Sequence, residues 1–80
     1  MTVYVDNYRA KFGRMVMCHM AADNLEELHE MALKIGMKKE WFQKDHYDVS
    51  LSRRKLAIQF GAKEVTSREL VKIVRPRPKQ

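Results

Sequence analysis

Three imidazoles, His19, His29 and His46, are spread through the first fifty residues together with the carboxylates Asp6, Asp23 and Asp48. Imidazole beside carboxylate serves two kinds of chemistry. A carboxylate that holds one ring nitrogen fixes the tautomer, and the other nitrogen then moves a proton near neutral pH. The same residue types also bind divalent cations, and three such ligands leave a coordination position open to water. The densest run is "KDHYDVSLSRR" at 44–54. Side chains alternate along a strand, so His46 and Asp48 share one face there and Tyr47 takes the other. The pair His19 and Asp23 is spaced more loosely. The chain has no H-E-x-x-H, no H-x-H and no cysteine cluster, so the pattern names no particular metal. Two chemical expectations and one bland one stay open. The first is a divalent metal site. The second is acid–base work by His46 or His19, oriented by Asp48 or Asp23. The third is a satisfied polar network that only supports the fold.

Anion-binding groups accompany these residues. Asn24 and Ser50 each precede a helical pattern, and a helix N-terminus offers unpaired N–H groups to a phosphate. Arg53 and Arg54 follow one turn later, where a guanidinium can grip phosphate with two hydrogen bonds. Ser50 and Ser52 read first as helix caps. Asp6 is expected as a metal or hydroxyl contact. His29 is expected at the border of the buried helix face, near the same ligand. Cys18 adjoins His19 but faces the opposite way, which makes it a buried, inert thiol rather than a nucleophile.

The elements that must position these groups follow from periodicity. "TVYVD" at 2–6 alternates and is β-branched, which reads as a strand. "NYRAKFGR" reads as a polar loop, and "MVMCH" at 15–19 as a buried strand ended by "AADN". Leu25, Leu28, Ala32 and Ile35 line one face of a helix, with Asn24 and Glu27 at its start and Gly36 at its end. "MKKEWFQ" suggests a short helical turn carrying Trp41 and Phe42. "HYDV" at 46–49 reads as a third strand. A second helix runs from the serines to Phe60, where Gly61 stops it. "KEV" at 63–65 reads as a fourth strand, and Thr66 with Glu69 opens a third helix carrying Leu70, Ile73 and Val74. Helices between strands imply βαβ crossovers and a partly parallel sheet of about four strands. The expected architecture is one α/β domain over 1–74, followed by a basic extended tail at 75–80. In an open α/β sheet, ligands bind beyond the carboxyl ends of the strands. Asp6, His19, Asp23 and Asp48 are expected to gather at that edge, with all three imidazoles converging.

Composition bounds the class. At 80 residues there is room for one small core, and 45 % hydrophobic residues exclude a disordered chain. A single cysteine forbids an internal disulfide, which favours a reducing, cytoplasmic setting. No apolar run reaches the ~20 residues of a membrane span, and "MTVYVDNYRA" lacks a signal-peptide stretch. Residues 1–50 hold seven Lys/Arg against eight Asp/Glu, whereas residues 51–80 hold nine against two. That asymmetry points to an anionic partner, a nucleotide or nucleic acid. Arg75, Arg77 and Lys79 of the tail are the expected nucleic-acid contacts. A domain this small gains from pairing with a second copy.

The order "VYVD", "GRMVMCHMAAD", "LEELHEMALKIGM", "DHYDVSLSRR" and "GAKEVTSREL" resembles a small family of bacterial and phage proteins known as domain of unknown function 4031. The likeness covers about residues 3–72. Its most specific pieces are Val5-Asp6, His19 with Asp23, Glu27-Leu28-His29, His46-Tyr47-Asp48, Gly61-Ala62 and Arg68-Glu69-Leu70. The resemblance implies that Asp6, His19, Asp23, Glu27, His29, His46 and Asp48 belong to a shared pattern. Taken together, the expectation is a His/Asp pocket for a phosphate-containing ligand, with phosphoester chemistry. The alternative is a non-catalytic accessory module that docks nucleic acid, or a host protein if the chain is phage-encoded.

Overall fold

A computed structural model describes residues 2–12 and 15–74. Among the described residues, five strands, three helices and one 3-10 turn follow in chain order. They are β1 (Val3–Val5), β2 (Ala10–Phe12), β3 (Met15–Ala22), α1 (Leu25–Lys34), the turn Lys39–Trp41, β4 (Tyr47–Ser50), α2 (Leu51–Gln59), β5 (Lys63–Glu64) and α3 (Ser67–Val74).

The long strand β3 organises the sheet. Met20 is opposite both Val5 and Tyr47, and Met17 is opposite both Ala10 and Ser50. A strand has two edges, so β4 takes one of them alone, and β1 and β2 share the other end to end. All three pairings are antiparallel, and β5 adds to β1 in parallel. The sheet is therefore mixed and four strands wide. β4 and β5 run in the direction of β1, so α2 makes a βαβ crossover between them, whereas α1 joins the antiparallel neighbours β3 and β4.

Strand ends differ from the sequence reading by a residue in β1, β4 and β5, and two departures are larger. Ala10–Phe12 is a strand, not part of a loop, and β3 continues to Ala22. Alanine and lysine favour strands weakly. The open edge of β3 supplies the ladder that their composition does not. Arg14 lies outside the described residues, as does the whole expected tail at 75–80 with Pro76.

The two faces of the sheet differ. Val3, Val5, Cys18, Met20, Tyr47 and Val49 point to one side and join Leu28, Met31, Ala32, Ile35 and Ala57 of the covering helices in a single buried cluster. The opposite side carries Tyr4, Asp6, His19, Ala21, His46 and Asp48, by alternation along each strand. There α3 provides the cover, with Leu70 and Ala21 buried outside the main cluster. The helices start where capping chemistry puts them. Asn24 accepts from the Glu27 N–H at 2.9 Å, Ser50 from Arg53 N–H at 3.4 Å, and Thr66 and Glu69 exchange hydrogen bonds both ways. Gly36 and Gly61 end the first two helices with φ of 82° and 105°, where only glycine is free of strain. Among the described residues no helix is long and apolar enough to cross a membrane.

Candidate functional site

The site begins with a fault in the ladder. From Val5↔Met20 to Ala10↔Met17, the β1–β2 side advances five residues while β3 advances three. Two residues are surplus, and the N–H of His19 loses the backbone carbonyl a regular ladder would offer it. Asp6 replaces that carbonyl. Its Oδ1 accepts from His19 N–H at 2.8 Å and from Tyr8 N–H at 3.3 Å, and its Oδ2 lies 2.8 Å from His19 Nδ1. Asp6 is fully buried, and its own N–H donates to the His19 carbonyl at 3.0 Å. A buried carboxylate is tolerable only when it is bonded in this way.

His19 directs both of its backbone groups toward Asp6, so on its other edge it forms a non-hydrogen-bonded pair with Asp48. Such pairs bring side chains closest. Asp6, His19 and Asp48 thus form one rung across three strands. His46 arrives from just before β4. Gln43 and His46 bond to each other through both backbone groups, at 2.8 and 2.9 Å, which closes a two-residue turn at Lys44 and Asp45. Lys44 sits in the left-handed region at φ 55°, unusual for a residue with a side chain. The turn presents Asp45 Oδ1 to His46 Nδ1 at 2.7 Å.

Both rings are therefore held from behind. A carboxylate only accepts, so each Nδ1 carries the hydrogen, and the Nε2 of a neutral ring is a bare lone pair. The two Nε2 atoms face Asp48 Oδ1, at 3.9 Å from His19 and 3.4 Å from His46. Asp48 is fixed in turn by Gln43 Nε2, which donates to Oδ2 at 2.8 Å. The rings meet edge to face with centroids 5.1 Å apart, and Tyr8 stacks on His19 at 5.2 Å. The three donor atoms lie within 4.8 Å of one another. His19 and His46 line a cleft of about 1190 Å³ whose other wall is α3, with Ser67, Arg68, Val71 and Lys72.

The other expected residues are elsewhere. The three imidazoles do not all converge: His29 is on α1, across the sheet, with Nδ1 2.7 Å from the Tyr47 hydroxyl and its ring against Phe42. Burial pushes that hydroxyl's pKa up. Asp23 does not pair with His19. It clamps the start of β1, accepting from Thr2 N–H at 3.0 Å and the Tyr4 hydroxyl at 3.1 Å. Desolvation, then that hydrogen bond, raises the Tyr4 hydroxyl. Ser50 caps α2. Arg54 Nε donates to the Asp6 carbonyl at 2.8 Å and Nη2 pairs with Glu64 at 2.9 Å, so this guanidinium braces the site from the core side. Arg53 reaches the Gly36 carbonyl and lies over Trp41 at 5.5 Å. Cys18 is buried and its thiol is pushed up by desolvation. Arg75, Arg77 and Lys79 lie outside the described residues.

The strand-end edge is also corrected. β3 runs against β1 and β4, so the sheet has no common carboxyl edge, and the cluster crosses the middle of one face instead. Sequence reasoning missed Gln43, Asp45 and Tyr8, and the Arg68 and Lys72 wall. Asp45 adjoins His46, and Arg68 and Lys72 are four apart on one helix face, so both signals were in the sequence but pointed nowhere without a fold.

The chain belongs to the family described as protein of unknown function (DUF4031), whose sequence model matches residues 3–77. No curated protein and no solved structure matches the chain.

Proposed function

We propose that this DUF4031 member binds a phosphate-containing ligand, a nucleotide or nucleic acid, in the cleft between the histidine face and α3, and that phosphoester chemistry occurs at the cleft floor. One observation carries the reading: the cationic side chains of Arg68 and Lys72 line the same cleft as His19 and His46. A phosphate fits against the two cations, whose charge-assisted hydrogen bonds reach it from α3, with the oriented Nε2 lone pairs opposite placed to take a proton. The Nε2 edges, together with Asp48, are the atoms left to act on the ligand. Asp6 and Asp45 hold the rings, and Arg54 holds the backbone of Asp6. His29, Asp23, Ser50 and Arg53 stay outside this proposal, since each is engaged elsewhere in the fold.

The test is binding and turnover of nucleotides and of an activated phosphodiester by the full chain. His46→Ala abolishes turnover while the thermal midpoint holds, and Arg68→Ala with Lys72→Ala weakens binding without unfolding. A cluster that only supports the fold gives the reverse, a large loss of stability and no turnover under any condition.

A second reading, a non-catalytic nucleic-acid module, has its own observation. Trp41 is exposed, with Arg53 at 5.5 Å and Lys38 at 6.0 Å from its ring. An exposed indole among cations suits a stacked base. In this case affinity for a single strand falls steeply with salt. The slope shrinks when Arg75, Arg77 and Lys79 are removed, and Trp41→Ala costs affinity where His46→Ala does not.

A further inference from the structure

We infer that His19, His46 and Asp48 bind one divalent transition-metal ion, zinc before the others. With each Nδ1–H committed to a carboxylate, two lone pairs on Nε2 and one carboxylate oxygen point at a common centre. Three acceptors facing one another repel, and the separations of 3.4 and 3.9 Å are longer than a hydrogen bond. A cation at the centre turns the repulsion into attraction.

The dimensions fit. Ligands about 2 Å from a tetrahedral ion are roughly 3.3 Å apart. The His46–Asp48 pair already has this spacing at 3.4 Å, and His19 closes the rest with a small ring movement. All three donors lie within 4.8 Å of one another. The side chains are 34, 23 and 23 % exposed, so an ion can reach them from solvent. Each ligand is also oriented from behind, His19 by Asp6, His46 by Asp45 and Asp48 by Gln43. Carboxylates behind imidazole ligands fix the ring and raise its basicity. Two imidazoles and one carboxylate select zinc and its transition-metal neighbours over magnesium or calcium, which prefer oxygen alone.

Three protein ligands leave a position open on the cleft side. What occupies it rests on the phosphate reading above. Asp6 and Asp45 line the cleft and Asp48 lies beside the two imidazoles; carboxylates there repel a phosphate, and a bound dication inverts that sign. A phosphate oxygen then takes the open position with Arg68 and Lys72 opposite.

The experiment is calorimetric titration of the full, tag-free, chelator-treated chain with zinc chloride and with magnesium chloride. Circular dichroism checks that each variant is folded. We expect one zinc per chain and no magnesium uptake at equal concentration. His19→Ala and His46→Ala should each weaken zinc by at least about 100-fold, the upper end of what losing an orienting partner costs. Asp6→Asn should weaken it by about 10–100-fold. If a histidine variant misfolds, the partly exposed Asp48→Asn gives the same reading. Cobalt substitution should give visible absorption bands that the His46→Ala chain lacks. A folded wild type that takes up no stoichiometric zinc, or zinc binding unchanged in the His19→Ala/His46→Ala double variant, overturns the site. Inorganic phosphate is then titrated into the zinc-free and zinc-loaded chains. Zinc uptake without phosphate binding keeps the metal site and rejects the phosphate reading, and phosphate binding without zinc uptake does the reverse.

Discussion

Histidine appears on both faces of this sheet and is treated in opposite ways. On the core side, His29 spends Nδ1 on the Tyr47 hydroxyl at 2.7 Å and lays its ring against Phe42 at 4.8 Å. Its partners are aromatic, and among the described residues no carboxylate pairs with the ring. On the other side, His19 and His46 each spend Nδ1 on a carboxylate and leave Nε2 pointing at a third. The first arrangement finishes a core. The second leaves its Nε2 lone pairs without a hydrogen-bond donor among the described residues while fixing their direction, which is the condition for acting on something else. Residue type alone does not separate the two arrangements; the partner of each ring nitrogen does.

The contrast can be broken from the core side first. Met20 is fully buried between the strands that hold the site. Met20→Ala should cost about 2–5 kcal/mol in a urea titration. In a domain of this size such a loss unfolds much of the population, and a cost under about 1 kcal/mol would mean that the face is not closed as described. Next in size is Asp6. Asp6→Ala strands the His19 N–H and frees the His19 ring, at a cost of about 1–3 kcal/mol. His46→Ala touches only the polar face and should stay within about 0.5 kcal/mol of wild type by the same titration. Equal costs for the two would erase the distinction between a support and a working group. On the aromatic side, Tyr47→Phe removes one hydroxyl and leaves His29 Nδ1 without its partner, at about 1 kcal/mol by urea unfolding. If Tyr47→Phe instead lowers zinc affinity, the two faces are coupled and the comparison needs redrawing.

The smallest effect lies in the cap of α3, the wall of the cleft. The Thr66 N–H, and then its hydroxyl, hold the Glu69 carboxyl below its ordinary range. The folded pKa is thus lower than the unfolded one. The contribution is complete above the unfolded carboxylate range and is lost as pH falls through the lowered folded value. Glu69→Gln should lower the urea midpoint slightly at neutral pH, leave it unchanged in acid, and so flatten the acid side of a plot of midpoint against pH. A steeper acid limb in the variant would contradict the cap.

The amino-acid sequence determined the local pieces by itself. The alternation in "HYDV" put His46 and Asp48 on one face and Tyr47 on the other. The caps at Asn24, Ser50 and Thr66 set where helices start, and Gly36 and Gly61 set where two of them stop. These outcomes depend on neighbours within about four residues, where side-chain direction and backbone hydrogen bonding are fixed by short-range geometry. Only the tertiary structure decided the pairing. The antiparallel β3 removed the expected common strand-end edge and sent His29 to the far side. The surplus of two residues against β3 turned Asp6 into the substitute for a carbonyl, and β2 came from an open edge that "AKF" does not advertise. Register between strands depends on contacts between distant segments, and no local pattern encodes which imidazole will end up against which carboxylate.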